Sequence, residues 1–170
     1  MKKPMLFLLF ILSSCFSYYQ TRNLADSNFD FEKMNNKEAL PDNWFKWSSE
    51  NFKLKVDSSE KHSGSVSLLI DSAGSRTEGS FGCIAYSIPA IYAVNQIKLR
   101  AYMKLQSVED GQIGLMLRID GEGGGLQFDN LQQDDIHGTS DWTMYSVILP
   151  LPENAKTIYI GALLNGTGKL

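Results

Sequence analysis

Cysteine and histidine are nearly absent from this chain of 170 residues, with two of each. Cys15 falls in the leader discussed below, which leaves Cys83, His62 and His137. Structural zinc takes four such ligands, so a Cys/His zinc centre is excluded. A lone Cys83 cannot close an internal disulfide, and in the apolar run GCIAYSI it reads as a buried, inert thiol. Basic residues form no patch: 16 Lys and Arg stand against 19 Asp and Glu, for a formal charge of -3, and the lysines are scattered. That excludes the electrostatic footprint of a nucleic-acid binder. Glycine clusters once, in DGEGGG at 120–125, without the Lys-Ser/Thr and following helix of a phosphate loop. The G-x-S-x-G elbow of a serine hydrolase is also missing, and GSFG at 79–82 does not match it. No apolar run approaches the roughly 20 residues that span a bilayer.

The start of the chain is a different matter. MKKPMLFLLFILSSC carries Lys2 and Lys3, an apolar stretch from Met5 to Leu12, and small residues before Cys15. This is the build of a secretory signal, residues 1–15. LSSC resembles a bacterial lipobox, which implies lipidation of Cys15 and a location in the bacterial cell envelope. The alternative is ordinary signal cleavage nearby. The membrane is then a partner through the lipid anchor only, and stable attachment takes more than one acyl chain. Loss of residues 1–15 removes two lysines and no acid, leaving 14 basic and 19 acidic residues and a net charge of -5. Residues 16–26, FSYYQTRNLAD, read as a tether.

From 27 to 170 nearly every segment reads as strand. NQIKLRAYMKLQ (95–106) alternates: Ile97, Leu99, Ala101, Met103 and Leu105 face one way, and Lys98, Arg100, Tyr102 and Lys104 the other. QIGLMLRID (112–120) repeats the period, with Arg118 on the outward side. VEDG (108–111) and DGEGGG read as turns between strands. No segment carries a persuasive helical period. The prediction is an all-β protein, an antiparallel sandwich or barrel in one domain.

NFDFE, PDNW, KHSGSVSLLI, GLMLRIDG, LQFDN, GTSDWTMYSVIL and IYIGALLNGTGK follow one another in order. Together they resemble the galactose-binding-like jelly-roll modules related to carbohydrate-binding modules. Such modules occur N-terminal to bacterial envelope tail-specific serine peptidases and erythromycin-esterase-like hydrolases. The resemblance implies an antiparallel jelly-roll β-sandwich and a non-catalytic accessory role. Its expected partners are a glycan or an envelope hydrolase domain; a structural domain with no ligand of its own is the alternative. In the resembled modules a further strand follows the segment matching GTGK. Its absence here leads us to expect a C-terminally truncated jelly roll, a fragment without its last strand and with an open sheet edge; the alternatives are that a partner supplies the strand or that the fold closes without it.

Sugar-binding jelly rolls use one sheet face, where aromatic rings stack on pyranose rings and polar side chains bond the hydroxyls. On that model Arg100, Tyr102 and Arg118, with Tyr86, line a face; the alternative is a plain solvated sheet face. Asp129 and Asn130 are ligand candidates or a structural partner of Arg118. Trp47 is a stacking candidate by type, while Trp44 is expected to fill the core. The resemblance also implies a structural calcium at Glu32, since a carboxylate oxygen suits that cation. The acidic stretch QQDDIHG, with Asp134, Asp135 and His137, reads as a solvated loop rather than an acid–base pair or metal site. Asp141 is expected to cap the entry to a strand that starts at Trp142.

Overall fold

The computed structural model describes residues 27–34, 40–74 and 78–170. The leader, Cys15 and the tether lie outside these residues. The strands are β1 (Trp44–Lys46), β2 (Lys53–Asp57), β3 (Ser67–Asp71), β4 (Gly82–Pro89), β5 (Gln96–Gly121), β6 (Gly124–Asp129), β7 (Gly138–Pro150) and β8 (Thr157–Lys169). All pairings are antiparallel, and there is no helix among the described residues. The all-β jelly-roll sandwich expected from the alternation is the fold observed.

One layer has the order β1-β4-β8-β5-β6, using the second half of β5. Opposite it, the first half of β5 pairs with β7 along 96–108, and the β2–β3 hairpin lies beyond. The tail of β8 joins the two parts, because Lys169 pairs with Asp71 of β3 and with Gln106 of β5. The core between the layers holds Ile70, Ile84, Leu105, Ile113, Leu117, Ile119, Val147, Ile158 and Leu164. Trp44 closes one end at 7% exposure, as expected from its sequence context. It packs edge-on to Phe31 and Tyr86, and its indole N–H donates to the Asn28 carbonyl at 2.7 Å.

VEDG does not reverse the chain. The two segments read as separate strands are one 26-residue strand, which crosses from one layer to the other. Ser107 and Asp110 do adopt positive φ, at 50° and 53°, but as bulge residues where the pairing register shifts. Bulges bend a strand without ending it. β8 bends alongside, and the contact requires glycine: a Cβ on Gly111 would lie 1.6 Å from the Asn165 carbonyl oxygen. β7 also starts earlier than expected, at Gly138 rather than Trp142. Asp141 is therefore within a strand, where its carboxylate accepts the Trp142 N–H at 2.8 Å.

Candidate ligand-binding face

The outer face of the five-stranded layer is set by register. Residues directly opposite on neighbouring strands share a face. Tyr159 pairs with Ser87 on one side and Arg118 on the other, and Arg118 pairs with Phe128. These four form one outward row. The next row contains Phe45, Ala85, Gly161 and Met116. Trp47 follows β1 and its backbone N–H donates to the Cys83 carbonyl at 2.9 Å.

The small residues of the middle row make room for an indole. Trp47 reaches Tyr159, with ring centroids 5.4 Å apart, and Phe45 at 6.3 Å. The Arg118 guanidinium carbon lies 5.4 Å from the Trp47 ring centre, within cation–π range. Arg118 is fixed from its other side by Asp120, two residues along the same face. Nε donates to Oδ1 at 2.7 Å and Nη2 to Oδ2 at 3.0 Å. This two-point pairing holds the guanidinium as an oriented plane, and the bonds to Asp120 raise its pKa further. Phe128 stands beside Arg118 on β6, 53% exposed.

Beneath these rings lies a small second core of Cys83, Ala85 and Met116, covered by Phe45, Trp47, Phe81 and Tyr159. Cys83 is 1% exposed, and burial pushes its pKa up to about 12. Its thiol lies 3.8 Å from the Met116 sulfur. The thiol is buried as expected, but under the outer aromatic cover rather than between the layers.

The remaining sequence candidates are distributed elsewhere. Arg100 and Tyr102 do not share a face with Arg118. All three point outward from β5, but the strand changes layers between Met103 and Gln112, so the first two are on the far side of the sandwich. There Tyr102 stacks on His62 at 3.6 Å, and Lys104 pairs with Glu60 at 2.9 Å and Asp141 at 3.6 Å. These bonds raise the Lys104 pKa, Glu60 first. They also fasten the turn around residue 62 to β5. Tyr86 is buried at 6% and belongs to the main core. Asp129 pairs in register with Leu117, the neighbour of Arg118, and so faces the opposite way. Its carboxylate accepts the Leu131 N–H at 2.7 Å, which forms the turn after β6. The expected Arg118–Asp129 contact is replaced by Arg118–Asp120. Asn130 lies in that turn, with a buried amide oxygen that has no partner.

Glu32 accepts the Ser65 N–H at 2.6 Å, and the described residues contain no group of three His, Cys, Asp or Glu placed to hold a metal ion. In QQDDIHG, Asp134, Asp135 and His137 are exposed, and Ile136 anchors the loop at 8% exposure. His137 Nδ1 lies 2.7 Å from the Asp135 carbonyl oxygen. Reasoning from the sequence missed Tyr159 and Asp120. The alternation of TIYI around Tyr159, and the spacing of Arg118 and Asp120 on one face, were the available signals.

No family model matches the chain. A curated relative from Bacillus subtilis (strain 168), the uncharacterized HTH-type transcriptional regulator YbfP, is 29% identical over 121 residues. The match covers 70% of this chain and 41% of the relative, so the chain spans about two fifths of that protein's length. Among solved structures, the enzymatically active domain of bacteriophage CBA120 tailspike protein 4 superposes with a TM-score of 0.52 at 12% identity. It covers 75% of this chain and 18% of the tailspike chain. The CBM22-1-GH10 modules of Clostridium thermocellum endo-1,4-β-D-xylanase 10B, complexed with xylohexaose, also give a TM-score of 0.52, at 13% identity. They cover 75% of this chain and 24% of the xylanase chain. At these identities the superpositions establish a shared fold.

Proposed function

We propose that this chain is a non-catalytic module that binds glycan on the outer face of its five-stranded layer. The arrangement of Trp47, Tyr159 and Arg118, locked by Asp120, carries this reading. Aromatic planes offer a dry surface to the C–H face of a pyranose, and the half-exposed guanidinium offers N–H donors to ring hydroxyls. The shared fold with the xylanase modules is consistent with this reading, and makes β-1,4-xylan the first polysaccharide to test. In the same proposal, Cys15 is lipidated and the module stands at the surface of a bacterial membrane as an accessory to an envelope hydrolase.

Affinity electrophoresis of the folded protein through gels containing xylan, β-glucan, mannan or pectin tests the binding. Retardation on at least one gel, abolished by Trp47→Ala and by Arg118→Ala, is the expected result. Unretarded migration on the whole panel would overturn the glycan reading. Labelling of the full-length chain with radioactive palmitate, compared with Cys15→Ser, tests the anchor separately.

A further inference from the structure

Two glycines of the β5–β6 hairpin are required by the fold, and a third is not. Gly124 has a φ of 108°, and a Cβ on Gly121 would crowd Leu126 at 3.1 Å. Gly125 meets neither constraint. Its φ is not positive. A Cβ there would sit 3.6 Å from Arg118 Nη2 and 3.7 Å from Asp120 Oδ1, at ordinary contact distance. The register shift between Ile119 and Asp120 lies beside it, but a bulge demands glycine only where φ is positive. Glycine inside a strand also weakens it, because it has no side chain to pack and more backbone freedom to lose.

What Gly125 leaves uncovered is the point where the guanidinium meets the carboxylate. Gly125 pairs with Asp120 across the strands and shares its outward face. Arg118 gives its Nε–H and one Nη2–H to Asp120, and no other described residue accepts from it. A guanidinium has further N–H donors, and each carboxylate oxygen has a second lone pair. The two side chains are 33% and 17% exposed, so both remain within reach of a ligand. Donor and acceptor thus stand side by side, with Nη2 3.0 Å from Oδ2. Two hydroxyls on neighbouring carbons of a pyranose have a similar spacing. One can accept from Arg118 while the other donates to Asp120. The opposite charges cancel at this point, so a sugar carboxylate gains little from Arg118 and is repelled by Asp120.

We propose that Gly125 is a specificity-determining residue of the outer face. It keeps the Arg118–Asp120 pair open to two adjacent free hydroxyls of a neutral sugar. This rests on the glycan reading above and narrows it to a chemical class. Polymers whose ring hydroxyls are separated by the linkage, and those carrying a carboxylate on each unit, are excluded.

The affinity gels described above, with one of β-1,3-glucan added, test the proposal. Xylan, mannan and the 1,4-linked stretches of β-glucan carry an adjacent free pair on each unit. The linkage of β-1,3-glucan separates its remaining ring hydroxyls, and pectin keeps the pair but adds a carboxylate. The variants are Gly125→Val and, from the same hairpin, Gly123→Ala, whose Cβ would meet nothing within 4 Å. Wild type and Gly123→Ala should be retarded by at least one neutral polymer with the pair, and not by β-1,3-glucan or pectin. Gly125→Val should be retained at least tenfold more weakly while melting no lower than wild type, because valine favours a strand. Undiminished retention of Gly125→Val would overturn the proposal. So would loss of retention accompanied by a lower melting temperature, which marks a structural glycine, or equal retardation of the wild type by β-1,3-glucan or pectin. In each of those cases the wild type still binds glycan and the broader reading stands. If the wild type runs free in every gel, both fall.

Discussion

Removing the Trp47 indole should do two things at once, and one of them needs no knowledge of the ligand. Trp47 is part of the cover over Cys83, whose pKa is about 12 because it is buried. The thiolate is the reacting species. At pH 8 a thiol with a pKa of about 12 has a thiolate fraction of about 10⁻⁴, against about 10⁻¹ for one near 9. Full uncovering would raise the alkylation rate about a thousandfold. Phe45, Phe81 and Tyr159 remain in Trp47→Ala, so a rise of about tenfold to a thousandfold is expected. Truncating a half-buried Trp costs about 2 kcal/mol, below the 3–5 kcal/mol of a fully buried one. Global unfolding would also expose the thiol, so Val147→Ala serves as the control. It loses about 2 kcal/mol in the other layer without touching the cover. Iodoacetamide labelling followed by mass spectrometry measures all three proteins. Equal rates in Trp47→Ala and Val147→Ala would refute the covering role, and with it the geometry on which the binding face is built.

Asp120→Asn should keep the fold and weaken glycan binding about tenfold, because a neutral amide holds the guanidinium less firmly; titration calorimetry on the polysaccharide found by electrophoresis measures it. Gly114→Ala should destabilise the protein by about 3 kcal/mol in thermal denaturation, since its Cβ would lie 1.8 Å from the Asn130 carbonyl oxygen. Asp57 has a lowered pKa, held down first by the Ser59 hydroxyl and then by the Ser59 N–H. A depressed carboxylate pKa stabilises the fold above the unfolded value and loses that contribution as pH falls through the folded value. Ser59→Ala should therefore melt below the wild type at pH 6, with the gap closing as the pH falls below 3.8; unchanged melting at pH 6 would contradict this.

Strand positions were legible because alternation is a local property. Ile97 to Leu105 and Ile113 to Ile119 show their inward residues directly, and these do line the core. Burial of Trp44 and exposure of Asp134 and Asp135 also followed from local context. The link between strands was less legible. A Gly- and Asp-rich VEDG signals positive φ, and positive φ occurs, but a hairpin turn and a bulge share that signal. Taking it as a turn hid the change of layer inside β5, and so put Arg100, Tyr102 and Arg118 on one face.

The sequence by itself determined that the described chain is all-β and that Cys83 is buried, because period 2 and apolar context act residue by residue. Only the tertiary structure decided which outward residues meet. Asp120 lies two residues from Arg118 on its own strand, but Arg118 met Trp47 through the pairing of strands far apart in the chain, and Asp129 lost Arg118 through a shift of one residue in register. A one-residue step moves a side chain to the other face of a sheet, so pairing, which no local pattern encodes, chose the members of the site.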